Sequence, residues 1–115
     1  MMNKPSYNPA VKDVIDSFLP AVPGVVPGKM FGFPAYYVNK KLCACVYEDG
    51  VGLKVSEEKA NEMIDSPGII AFQPYGKAKM KEWIQINRKK PEDYLQDKEI
   101  FDASVRYVAS LPEKR

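Results

Sequence analysis

Apolar positions in this chain recur first at helical spacing and then at strand spacing. Asn8-Pro9 opens a helix: asparagine caps a helix start, and proline in the first turn loses no donor that is needed there. Val11, Val14, Ile15, Phe18 and Leu19 follow on one stripe, and Pro20 ends it. A proline- and glycine-rich connection leads to Gly28. From Lys29 the period is two, which predicts strands near 29–32, 35–39, 42–48 and 51–55. Asn39-Lys40-Lys41 and Glu48-Asp49-Gly50 supply the tight turns. The Asp49-Gly50 pair is the strongest turn signal, because a two-residue hairpin turn wants positive φ. Ser56 caps a second helix with Glu57 and Glu58 in its first turn, Ala60, Met63 and Ile64 as its inner stripe, and Pro67-Gly68 as its stop. Strands are expected at 69–73 and 80–86, joined by Pro74-Tyr75-Gly76. Pro91, Glu92 and Asp93 begin a helical turn, and a last helix spans about 97–111, with Phe101, Val105 and Val108 inward beside Ile100 and Ser104. The order α, β meander, α, β pair, α predicts an α+β fold with helices packed on one mostly antiparallel sheet.

Several of these stretches resemble the TfoX N-terminal domain family. They are Lys29-Met30-Phe31-Gly32, the hairpin around Asp49-Gly50 ending in Gly52-Leu53-Lys54, and Phe72-Gln73-Pro74-Tyr75-Gly76 followed by Met80 and Trp83. The segment from Pro91 to Asp97 and the last helix fit the same pattern, so the resemblance spans roughly residues 11–111. A more distant similarity is to YjbR-like proteins. The resemblance implies a fold similar to the secretion-chaperone-like class and a regulatory or protein-interaction role. Its best-known member regulates natural competence, which places the family near transcription regulation. It supplies no catalytic residues.

Composition narrows the function classes. The 115 residues make one domain, 45% hydrophobic and 28% charged, as in a globular protein. A net charge of +2 does not by itself mark a nucleic-acid or membrane surface. The N-terminus has no run like a signal peptide's, and no stretch is apolar enough to span a membrane, so the expected location is the cytoplasm. With no histidine, neither a His-based triad nor a His metal ligand can be built. Gly24 to Met30 departs from a phosphate loop in glycine spacing and in having Met30 where serine or threonine holds magnesium. Glu48 and Asp49 read as solvated turn carboxylates. Cys43 and Cys45 stand at a spacing poorly suited to a mutual disulfide and read as small buried hydrophobes. The expectation is a non-enzymatic module without cofactor or metal.

Two surfaces are candidates. Strand alternation puts Leu42, Ala44 and Val46 on one face of the third strand and Cys43, Cys45 and Tyr47 on the other. Val51, Leu53, Val55, Ile84 and Ile86 join the aliphatic face, which suits the helices. Cys43, Cys45, Tyr47, Lys54 and Trp83 then form a second face able to bind a partner protein or a second copy of the chain, unless a helix or the N-terminal loop covers it. The alternative is weak nucleic-acid binding through Lys77, Lys79 and Lys81, which alternate beside Tyr75 and Trp83, and Arg88, Lys89 and Lys90. Against it, charged residues on an edge also protect a sheet from pairing. A third reading is a small-molecule pocket or enzyme site lined by Met30, Phe31, Phe33, Tyr36 and Tyr37.

Overall fold

The structure is a computed structural model that describes residues 6–74 and 80–112. Helix α1 (Pro9–Asp16) starts where expected, the Asn8 side chain accepting the Ala10 N–H at 2.9 Å. It ends four residues before Pro20. The turn persists, since the Leu19 N–H still bonds Ile15 O at 2.9 Å, and this carries Leu19 into the core. Four strands follow: β1 (Val25–Met30), β2 (Phe33–Val38), β3 (Lys41–Tyr47) and β4 (Gly50–Lys54). Helix α2 (Glu57–Met63) is capped by Ser56, whose hydroxyl accepts the Lys59 N–H at 3.1 Å. Strands β5 (Ile69–Ala71) and β6 (Trp83–Ile86), a 3-10 helix (Pro91–Asp97) and helix α3 (Lys98–Ser110) complete the order.

The fold class is α+β. One six-stranded antiparallel sheet runs β1-β2-β3-β4-β6-β5, with the helices packed on one face. That face carries Tyr36, Val46, Val51, Leu53, Ile84 and Ile86. They pack with Ile15 and Leu19 from α1 and its following turn, and with Phe101, Val105 and Val108 from α3. Tyr94 of the 3-10 helix fixes the end of β6. Its hydroxyl donates to Ile86 O at 2.9 Å and accepts the Arg88 N–H at 3.3 Å.

Three local expectations are corrected. The first strand begins at Val25 and not at Lys29, so Pro27 and Gly28 lie inside it. Proline is tolerated there because β1 is an edge strand and has no outer neighbour to receive an N–H. The β3–β4 turn is centred on Glu48 and Asp49, with Tyr47 opposite Gly50; the positive φ, 51°, belongs to Glu48. Gly50 is needed for a different reason: a Cβ there would lie 2.9 Å from Ile86 O. Finally, β3 is bulged. Tyr36 pairs with Ala44 but Tyr37 pairs with Leu42, so Cys43 is an extra residue. The bulge reverses the alternation, placing Cys43 in the helix-covered core and Leu42 against the opposite face.

Candidate functional site

The second sheet face is a second core. Phe33, Ala35, Cys45, Tyr47, Phe72 and Trp83 form it, with Met30, Tyr37, Leu42 and Met80 partly buried around them. Ring centroids lie 4.8 Å apart for Phe33–Tyr47, 5.4 Å for Tyr47–Phe72 and 5.5 Å for Phe72–Trp83. Phe72 reaches the sheet because Gly52 beneath it has no side chain; a Cβ there would lie 2.8 Å from the ring. Tyr47 is 5% exposed and Trp83 7%. The expected open aromatic face is therefore corrected. Phe72, the residue after β5, packs over this face, Tyr7 of the N-terminal segment packs against the same cluster, and Cys43 lies on the other face altogether. Lys54 borders this cluster with its Nζ 5.7 Å from the Trp83 ring centre and 3.3 Å from Glu82.

Burial also raises both thiols. It pushes the Cys45 thiol up to about 12, with a smaller opposing effect from a hydrogen bond to the Gly52 backbone. It raises Cys43 as well, against a lowering contact with Ser104, whose Oγ is 3.3 Å from the sulfur. A nucleophilic cysteine needs the opposite shift.

The basic candidates separate. Lys77 and Lys79 lie outside the described residues. Lys81, Lys89 and Lys90 are exposed. Arg88 is structural: its Nε and Nη2 bond the two carboxylate oxygens of Asp97 at 2.9 and 2.7 Å, and its Nη1 bonds Pro67 O at 3.1 Å. Asp97 is 7% exposed, so this forked pair ties the 3-10 helix to the start of β5. Three of its five guanidinium N–H groups are thus taken within the chain, which gives Arg88 a structural role apart from the nucleic-acid contact expected of it.

The proposed small-molecule pocket is likewise divided. Phe33 enters the second cluster and Tyr36 the first core. Tyr37 lies over Gly28 and donates to Lys29 O at 2.7 Å. Phe31 stands at the tip of the β1–β2 hairpin and is 79% exposed. Phe31 and Gly32 form its two-residue turn with φ of 50° and 86°, as a type I′ turn demands. Glycine suits that geometry. Phenylalanine does not, since a left-handed backbone puts its Cβ against the carbonyl at a cost of about 1 kcal/mol. Val26 on β1 is 60% exposed.

No family model matches this chain, and no curated protein or solved structure matches it.

Beside the hairpin tip lies a cleft of about 230 Å³ between α1 and the β1–β2 hairpin, lined by Lys12, Asp16, Pro27, Gly28, Lys29, Pro34, Ala35 and Tyr36. Asp16 accepts the Tyr36 hydroxyl on Oδ1 at 2.6 Å and the Lys12 ammonium on Oδ2. Burial, then the bond to Asp16, pushes the Tyr36 hydroxyl far above its ordinary range, so it stays a donor. The sequence carried part of this signal in the Lys12–Asp16 pair at i, i+4, and none of the hairpin's approach to α1. Among the described residues, no group of three acidic or cysteine side chains is placed to hold a metal ion, and no helix is long and apolar enough to cross a membrane.

Proposed function

We propose that this protein is a non-enzymatic recognition module that binds a protein partner through the β1–β2 hairpin edge, in the regulatory role that its resemblance to the TfoX N-terminal domain family implies. Phe31 carries the reading. A large, mostly exposed aromatic ring stands in a turn that asparagine or glycine would serve better. Asn39, Lys40 and Glu48 also carry positive φ at exposed turn positions, so it is the ring and not the backbone that sets Phe31 apart, and exposed aromatics are the usual anchors of protein interfaces. The element order, helix, four-strand meander, helix, strand pair and final helix, supports the family resemblance. Both thiols are buried and un-ionised, which supports recognition without covalent chemistry. The engagement of Arg88 by Asp97 weighs against the nucleic-acid alternative.

The test is affinity capture from native lysate, divided into nuclease-treated and untreated halves, with Phe31→Asn beside the unaltered protein. Protein captured in both halves and lost with Phe31→Asn is the expected result. Sedimentation of the purified protein identifies the case in which that partner is a second copy. Capture that Phe31→Asn leaves intact, or that nuclease abolishes, would overturn the reading.

A further inference from the structure

We infer that the cleft between α1 and the β1–β2 hairpin receives a carboxylate side chain from an acidic, apolar-bearing segment of the partner, docking next to Phe31. The inference rests on the recognition reading and specifies the chemistry of what is recognised.

Charge is the first argument. Two lysines, Lys12 and Lys29, line the cleft. Lys12 is held by Asp16, whose other oxygen is taken by the Tyr36 hydroxyl, so both carboxylate oxygens are engaged within the chain. Lys29 has no acidic partner among the described residues. The lining groups therefore leave one cation uncompensated. Asp13, the other carboxylate that acts on Lys12, lies outside the lining residues. An incoming carboxylate meets Lys29 directly and Lys12 beside it, in a setting whose other walls are Pro27, Pro34, Gly28 and Ala35. Rigid, apolar walls next to a charge strengthen the attraction and hold its geometry.

Size is the second. A cleft of about 230 Å³ falls below the range of roughly 300–1,000 Å³ typical of sites that enclose a whole small molecule. It suits one side chain of a longer ligand. The rest of that ligand then lies along the hairpin toward its tip, where Phe31 offers apolar surface.

The mode of docking is the third. An exposed strand edge ordinarily invites a partner to add a strand by main-chain bonds. Here β1 discourages it. Pro27 has no N–H, the Val25 N–H bonds Val22 O at 3.2 Å, and Lys29 O accepts from Tyr37. With main-chain pairing blunted, recognition falls to side chains, and those at hand are the Phe31 ring and the Lys29 ammonium.

The experiment uses the isotope-labelled full chain and a capped tetrapeptide of alternating aspartate and leucine, with the lysine-and-leucine counterpart as control. The expected result is saturable movement of backbone amide signals confined to residues 12–16 and 27–36. It weakens with added salt, roughly tenfold on Lys29→Glu, and survives in Lys29→Arg. Lys29 is exposed, so neither variant burdens the fold. Equal response to the lysine peptide, movement elsewhere, no movement, or an undiminished response in Lys29→Glu overturns the inference. The two proposals fail separately. Partner capture that depends on Phe31 and ignores Lys29 leaves the recognition reading standing and removes the acidic ligand.

Discussion

Gly52 has no side chain, and the Phe72 ring fills the space one would occupy. Alanine there must displace an aromatic ring that is itself packed between Tyr47 and Trp83. The expected loss is about 1–3 kcal/mol, read as a lower urea midpoint with unchanged slope. Phe31→Asn acts in the opposite direction. It relieves a left-handed backbone at an exposed tip, and about 1 kcal/mol of added stability is expected alongside lost partner capture. A variant that lost both would show that the ring supports the fold, and not an interface. The glycine at 50 shows why such roles escape a sequence. Asp49-Gly50 matched a turn signature, yet the turn takes its positive φ from Glu48, and Gly50 is required by the approach of Ile86 from β6. A local motif does not reveal a neighbour 36 residues away.

Among the elements, the helices were the most legible, because capping and periodicity are local. Asn8, Ser56 and Pro91 each open a helix as read. Strand β1 was misplaced because proline and glycine weigh against a strand when its position in the sheet is unknown; only the edge explains them. The sequence marks the start of the 3-10 helix at Pro91 and both ends of α3 to within a residue, but nothing in it pairs Asp97 with Arg88. That pair joins the helical end of the chain to the β5 turn. Arg88→Ala leaves a buried carboxylate without its partner, and a loss of about 3–5 kcal/mol in urea unfolding is expected. Arg88→Lys should recover only part of it, since an ammonium cannot make the fork. Equal stability of all three proteins would mean that Asp97 finds water or another donor.

The whole molecule has a sheet with a packed layer on each face, and this arrangement sets its response to alkali. Cys45 ionises at an ordinary value of 9.0 when unfolded and at about 12 when folded. Cys43, Tyr36 and Tyr94 are raised in the same direction by burial. Between those values the folded chain holds more protons than the unfolded one, so stability is complete below about pH 9 and falls as pH rises further. Urea midpoints should be flat near neutrality and decline above about pH 9, less steeply in Cys45→Ala. A flat profile to high pH would show that these groups are wetter than their packing implies. The second layer was hidden from sequence reading because alternation tells which residues share a face and not what lies over it. The bulge at Cys43 has a further consequence, for the length of the chain. Because Cys43 is the surplus residue, removing it leaves Lys41, Leu42, Ala44 and Cys45 each on its present side of the sheet and restores regular pairing with β2. Removing Cys45 instead would turn one flank of β3 inside out. A one-residue deletion at position 43 vacates a buried core site and the Ser104 contact but keeps the strand in register, so its urea midpoint should fall less than that of a deletion two positions on.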